Sequence, residues 1–441
     1  MEFYGRDEEL IQLKRIHESS ENASRFTVIT GRRRIGKTSL VLKSVQGLRH
    51  VYLFVSRVSQ KLLCEDMQRT VEEEGIEIAG KIERFGDLLK ALMIRSRDEG
   101  LVLIIDEFQD FEYVDKTVFQ DIQNVWDRYK GESRISLVVC GSAHSMMVRI
   151  FENDKEPLFG RPTDKIVLNP LPIKVMEKVL GDCNESYTPQ DLLMFYMLTG
   201  GVPKYMEVLI DSGSFDSETM LERATSAGSV FLTDGKDLLV TELGKEYRIY
   251  SSILQLISSG KEKRSEIEDV LQTEVGAYLK RMEDELGLVR HVSPVFSDPS
   301  SRNIKWKVSD PYLKFYFRFV RPSTGYVESG RYDLLLRSVK AGLPDYEGRA
   351  LEDFFRRRIS EEDAYTEVGG YWNRKGDVEI DIVVVDDIER KVRLIEVKRN
   401  RKKLNMKDLE SKGAMIRHEL KGYDVSFEGL SSEDVRRNAE S

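Results

Sequence analysis

At 441 residues, 40% of them hydrophobic and 33% charged, the chain is too long for one ordinary core and too apolar to stay disordered, so two or three domains are expected. A formal net charge of −8 excludes a protein that coats nucleic acid by bulk charge and confines any such contact to local basic patches. Cys64, Cys140 and Cys183 show no metal or redox spacing, the histidines form no paired cluster, and the start "MEFYGRDEEL" is polar. With apolar runs too short for a bilayer, the expectation is a reduced, cytoplasmic chain that does not enter a membrane.

The first chemistry-bearing stretch is "RFTVITGRRRIGKTSLVLKSV". It predicts a β-branched strand at residues 26–30, a glycine-flanked loop, and an amphipathic helix starting near Lys37. Within it GxxxxGK[ST] runs from Gly31 to Thr38. Gly31 and Gly36 let backbone N–H groups turn toward phosphate oxygens at a helix N-terminus, Lys37 reaches the β- and γ-phosphates, and the Thr38 hydroxyl ligates Mg²⁺. Arg32, Arg33, Arg34, Ile35 and Ser39 complete the nucleotide-binding loop, the arginines as solvated or interfacial groups rather than catalytic ones.

Further along, "GLVLIIDEFQDF" predicts a strand, Leu101 to Ile105, apolar on both faces and therefore central in a parallel sheet. Its C-terminal end opens on the ligand crevice. There Asp106 would hold Mg²⁺ and Glu107 would orient or deprotonate the attacking water; the competing reading is an acid pair capping a helix. "ISLVVCGS" ends in Ser142, placed to touch the γ-phosphate or the lytic water. "EPLFGRPTDKIVLNPL" puts Arg161 before another strand, either to stabilise charge on the transferred phosphoryl, within the chain or from a neighbouring subunit, or as a surface arginine paired with a carboxylate.

Taken with "FYGRDEEL", "LFGRP" and "TGGVPKYMEVL", these motifs make residues 1 to about 230 resemble an archaeal-type ATPase domain of the AAA+/STAND branch of P-loop NTPases. The resemblance implies ATP and Mg²⁺ as cofactors. It also implies that Gly5 and Arg6 flank the adenine, and that Gly200, Gly201 and Pro203 shape a helical lid beside the nucleotide. No second arginine accompanies Arg161, so a homo-oligomer is open but an active ring is not implied.

From residue 246, "EYRIYSSILQLISSG", "KRSEIEDVLQ" and "EVGAYLKRMEDELGLVRHV" show helical spacing, and "SPVFSDPSSRNIKWKVSDPYLKFYFRFV" reads as two short strands around a Pro/Ser turn. Three helices and then a β-wing is the winged-helix order. The segment that would read DNA, Glu274 to Leu286, sets Lys280 and Arg281 against Glu274, Glu283, Asp284 and Glu285, which favours a packing role at least as much as DNA reading. The aromatic "YLKFYFRF" is expected to be core.

The last part carries "DYEGRALEDFFRRRI", a helix with the apolar stripe Leu351, Phe354, Phe355, Ile359 and Glu352 beside it, then "RKGDVEIDIVVVD" and "RLIEVKRNRKK". Alternation puts Glu379 with Asp381, and Glu396 with Lys398. The turn "DDIERK" makes the strands antiparallel, so Asp381 faces Glu396, and carboxylates that close repel unless a cation lies between them. The competing reading is a solvated edge-strand ion pair. Helix glutamate, strand aspartate, then ExK resembles the PD-(D/E)xK nuclease superfamily over residues 340 to 425, although Ile380 stands where a proline is usual. That resemblance implies Asp381 and Glu396 as metal ligands, Lys398 on the water or the phosphate, and Glu352 completing the shell.

The resulting expectation is α/β: a P-loop ATPase core at 1–170, a helical lid at 171–235, a winged helix at 236–325 and a nuclease-like α/β domain at 326–441. Functionally it is an ATP-binding and ATP-hydrolysing protein whose nucleotide state is coupled to a DNA-directed nuclease-like domain, the basic "RNRKK" run contacting backbone phosphates. The alternative is a regulatory or defence-type signalling ATPase whose C-terminal domain binds DNA or protein without cleaving.

Overall fold

The computed structural model describes residues 1–298, 300–362 and 365–436. The chain divides between Pro170 and Leu171 into two compact units. In the first, five strands form one parallel sheet: β1 (Arg25–Thr30), β2 (His50–Phe54), β3 (Leu101–Asp106), β4 (Ile135–Gly141) and β5 (Asp164–Val167), ordered β2-β3-β4-β1-β5. β3 and β4 are buried at every position because both neighbours and both faces are covered. Helices cover the sheet, and Phe26, Phe108, Phe111, Phe119, Trp126 and Phe151 meet at ring separations of 5.2–5.9 Å, the offset and edge-on contacts aromatic rings prefer.

All five strands run the same way, so their C-terminal ends share one rim. The loop after β1 leads into the helix Lys37–Ser44 there. β4 lies between β1 and β3, so one rim presents, side by side, the loop, the residues following β4 and the acidic end of β3.

The second unit begins with helices Ile173–Cys183, Pro189–Thr199, Pro203–Asp211 and Ser217–Thr225. Pro189–Thr199 is buried from Asp191 to its end, and Thr188 and Asp191 close a capping box at its start. Three further helices, Tyr247–Ser259, Arg264–Leu271 and Gly276–Asp284, precede an antiparallel hairpin of β6 (Val289–Val292) and β7 (Lys305–Val308). The first strand thus ends before "SPVF" instead of including it, and Pro299 of the expected turn lies outside the described residues. The stretch at 311–320 is helical, Pro311–Phe315 running into a π-turn at Tyr316–Val320 that buries Tyr312, Phe315, Tyr316, Phe317 and Phe319. Asp310 caps that helix by accepting from Leu313 N–H at 2.7 Å, with Pro311 at its first position.

A separate four-stranded sheet closes the chain: β8 (Glu367–Trp372), β9 (Glu379–Asp386), β10 (Lys391–Lys398) and β11 (Asp424–Ser431), ordered β11-β10-β9-β8, with β10 and β11 parallel and the other pairs antiparallel. The long helix Tyr332–Glu362 packs on it. The loop after β6 reaches into this domain. Val295 is fully buried in a core with Ile380, Val383 and Leu394, and its N–H donates to the Gly370 carbonyl at 2.9 Å. Asn303 and Trp372 exchange two hydrogen bonds of 3.2 Å, and Lys305 lies 4.5 Å over the Trp372 ring while pairing with Glu379 at 2.7 Å. The core of the C-terminal sheet therefore contains residues from both sides of position 325. No helix among the described residues is long and apolar enough to cross a membrane.

A fragment starting at residue 326 lacks Val295 and the Asn303 and Lys305 contacts. It is expected to melt without a cooperative transition, whereas a fragment starting at residue 246 melts cooperatively; circular dichroism against temperature distinguishes the two.

Candidate functional site

Gly36, at φ 88°, caps the helix that starts at Lys37. A Cβ on Gly31 would sit 2.7 Å from the Leu168 carbonyl oxygen, so only glycine permits this approach. Ile35 is fully buried and anchors the loop, Arg33 and Ser39 are exposed, Arg32 is half-buried, and Arg34 is half-buried with φ 69°. Lys37 is buried, its Nζ donating to the carbonyls of Gly31 at 2.8 Å and Arg32 at 3.2 Å. Burial pulls this ammonium below the ordinary lysine value, and Glu107 and Asp106 oppose that shift.

Asp106, 5% exposed, is the hub of the rim. It accepts from Thr38 Oγ1 at 2.6 Å, from the Tyr52 hydroxyl at 2.8 Å and from the Glu107 N–H at 2.9 Å. A carboxylate and a hydroxyl this close are the hard oxygen donors that Mg²⁺ takes, so these two side chains fit that ion. Glu107 holds φ 51°, a left-handed conformation that costs a non-glycine residue on the order of 1–3 kcal/mol and concentrates at functional sites. Its carboxylate accepts from Gln109 Nε2 at 2.6 Å and from Ser142 Oγ at 2.8 Å. The Ser142 hydroxyl, expected at the γ-phosphate or the water, donates to Glu107 here.

Arg6 is buried, with its guanidinium on Glu9 at 2.9 Å, the Ile35 carbonyl at 3.5 Å and the Asn169 carbonyl at 2.7 Å. These bonds brace the loop, and Gly5, at φ 60°, makes the bend before it. Arg161 precedes β5, which runs parallel to β1, so it lies at the opposite rim from the phosphate loop. The four residues of β5 alone separate the rims by about 13 Å. Arg161 donates to the Phe159 carbonyl at 2.8 Å and pairs with Asp127 at 3.3 Å. Action on its own chain's nucleotide is thereby excluded, leaving a neighbouring subunit or a surface pair.

In the second unit, the requirement for glycine at 201 is internal. Gly201 has φ 80°, a Cβ there would meet the Leu171 carbonyl oxygen at 2.3 Å, and one on Gly200 would meet Pro311 at 2.8 Å. Pro203 starts the next helix. At the far end of this unit the register of β9 and β10 aligns Ile382 with Ile395, which brings Asp381 and Glu396 to the end of the ladder. Asp381 accepts from the Val397 N–H at 2.8 Å, closing the ladder where the strands part, and Glu396 accepts from the Asn405 N–H at 2.8 Å. The Lys398 ammonium bridges them at 3.2 and 3.3 Å. Burial lowers Lys398, but Asp381 and Glu396 more than offset this and hold it above the ordinary lysine value.

The two expected metal ligands thus stand together at the end of the ladder, on either side of Lys398. Among the described residues no group of three His, Cys, Asp or Glu side chains converges to hold a metal, and the cation between Asp381 and Glu396 is the protein's own Lys398. Glu352 lies beside this cluster without joining it. Burial, reinforced by Asp381, pushes its carboxyl up to about 7. The neighbouring Asp353 is held well below the usual range: Lys314 at 2.5 Å, Lys307 and Arg356 at 3.1 Å overcome its burial.

Tyr52, Gln109 and Asp353 were not anticipated. Gln109 stands two residues after Glu107 and was visible in "DEFQDF"; Tyr52 reaches Asp106 only through the pairing of β2 with β3, which no local pattern announces.

A parallel sheet in this order, a phosphate-loop glycine pair and a strand ending in Asp106 bonded to Thr38 define a P-loop ATPase fold. Residues 3–209 match a family described as an ATPase domain predominantly from Archaea, and residues 316–411 match one described as archaeal and bacterial proteins of unknown function. An uncharacterized protein of Methanocaldococcus jannaschii is 27% identical over 407 residues, covering 90% of this chain and 87% of the relative. The Walker-type ATPase paby2304 of Pyrococcus abyssi superimposes with a TM-score of 0.54 at 18% identity, covering 72% of this chain and 96% of its own. The first region thus resembles an ATPase domain in sequence and has the P-loop ATPase fold, which supports ATP binding and hydrolysis.

Glu352 carries a pH signature. Its folded value near 7 lies above the ordinary 4.5, so its contribution to stability is complete below about pH 4.5 and is lost as pH rises through about 7. Glu352→Gln is expected to leave stability nearly unchanged at about pH 4.5 and to raise it by about 2–3 kcal/mol at about pH 8, measured by urea unfolding.

Proposed function

We propose that the protein hydrolyses ATP at the Gly31–Thr38 loop and couples its nucleotide state to DNA engagement by the C-terminal domain. The observation that carries the first half is the Asp106 hub: one carboxylate bonded to Thr38 and to the backbone of Glu107 sets a metal-binding pair beside an oriented base. In this reading Lys37 leaves the loop carbonyls for the β- and γ-phosphates, and Gly31, Gly36 and the loop N–H groups cradle the phosphate oxygens. Thr38 and Asp106 hold Mg²⁺, which when bound neutralises charge on the β- and γ-phosphates. Glu107, steadied by Ser142 and Gln109, accepts the proton of the attacking water. Arg161 acts, if at all, on the nucleotide of a second copy of the chain.

The second half is supported by the nuclease-like strand pair and by the exposed Arg399, Lys402 and Lys403 that follow Lys398. Three helices and the β6–β7 hairpin are read as a winged-helix module that packs. Its Arg281 is held by Glu246, Glu285 and Tyr250, and its wing is occupied by the C-terminal domain. A second reading, binding without cleavage, is favoured by the bridging of Asp381 and Glu396 by Lys398, which satisfies both carboxylates without a metal.

With full-length protein, Lys398→Ala is expected to weaken duplex DNA binding several-fold and equally across sequences, by fluorescence anisotropy. Nicking of supercoiled plasmid that disappears in Lys398→Ala identifies the domain as a nuclease; binding without nicking supports the second reading. Absence of DNA binding with ATP and with ADP removes DNA from the account.

A further inference from the structure

We propose that residues 168–171, Leu-Asn-Pro-Leu, form a transmission segment gripped at each end by an arginine, relaying nucleotide state to the C-terminal acidic cluster through Arg6, Arg357 and the helix Tyr332–Glu362. The inference rests on the ATP-binding reading of the loop and is independent of DNA.

On the nucleotide side, the segment touches the phosphate loop through backbone. The Leu168 carbonyl lies where a Gly31 side chain would begin, and the Leu168 N–H donates to the Thr30 carbonyl at 2.8 Å. The Asn169 carbonyl accepts from Arg6, whose same guanidinium reaches the Ile35 carbonyl inside the loop. A shift of the loop around phosphate is therefore felt at residues 168 and 169. Pro170 follows, and its ring fixes φ near −65° at that residue.

Beyond Pro170 the second grip begins. Arg357 donates from Nη2 to the Leu171 carbonyl at 2.8 Å and from Nη1 to the Gly200 carbonyl at 2.9 Å. Its Nε is fixed by Glu361 at 2.6 Å, and the other Glu361 oxygen caps the Ile173 N–H at 2.8 Å. The Leu171 N–H in turn donates to the Gly201 carbonyl at 2.8 Å. A guanidinium fork bridging two carbonyls and locked from behind holds direction as well as distance, which a lysine cannot reproduce. The neighbouring Arg356 on the same helix donates to the Asp381 carbonyl at 2.9 Å and pairs with Asp353. One turn of a rigid helix, about 5.4 Å, thus carries both the clasp on the segment and the contacts to the acidic cluster.

The test is amide hydrogen exchange over residues 345–362 in the full-length protein, with AMP-PNP or ADP as the nucleotide. In the wild type the two nucleotides are expected to give exchange rates differing about fivefold or more, the scale of an ordinary coupling. Arg357→Ala is expected to bind AMP-PNP with unchanged affinity and to abolish the difference. Should that variant unfold, Arg357→Lys, which keeps the charge but not the fork, is expected to abolish it likewise. Identical exchange with both nucleotides in the wild type, or a difference that persists in the folded variant, overturns the relay. Failure of the wild type to bind AMP-PNP overturns the nucleotide reading and the relay together.

Discussion

A buried carboxylate must be fully bonded, and Asp106 meets that demand by tying together three separate parts of the chain. Thr38 comes from the helix after the phosphate loop, Tyr52 from β2 and the Glu107 N–H from the turn after β3. Leaving such a group unsatisfied would cost on the order of 1–3 kcal/mol or more, so the three partners are fixed relative to one another. The last of these bonds accompanies the left-handed turn at Glu107, and the strain stored there is held by Ser142 and Gln109 on the Glu107 carboxylate. The parallel sheet makes this meeting possible, because it delivers all the contributing strand ends to one rim.

The C-terminal cluster meets the same demand differently. Asp381 and Glu396 each accept one backbone N–H and share Lys398, while Lys305 and Lys314, from outside the C-terminal sheet, neutralise Glu379 and Asp353. The residues that the nuclease resemblance singles out also have structural work: Asp381 terminates a strand ladder, and Glu396 anchors the start of the helix Met406–Met415 through Asn405. A substitution at either position acts on folding as well as on any ligand.

Much of this was legible in the sequence because the signals were local. A β-branched run, two glycines and Lys-Thr at fixed spacing specify strand, loop and helix with their roles, and the apolar run ending in Asp106 and Glu107 specifies a central strand. The pairing of β9 with β10 was equally local, since a short turn fixes the register. What escaped depended on distant partners. The bonds of Arg6 to Ile35 and Asn169 join residues far apart in sequence, and the rim occupied by Arg161 follows only from the direction of β5. Helicity at 311–320 overrides the β-propensity of its aromatic residues, because Asp310 and Pro311 start a helix that buries those rings.

The central claim is that Glu107, held in its strained turn beside Asp106, is the base for ATP hydrolysis. Its most direct test is steady-state phosphate release by Glu107→Gln, with nucleotide affinity measured in parallel by calorimetry. The account predicts unchanged ATP affinity and a turnover lowered by about 10²-fold or more, the scale of a lost general base. Turnover near the wild-type rate at saturating ATP would contradict it.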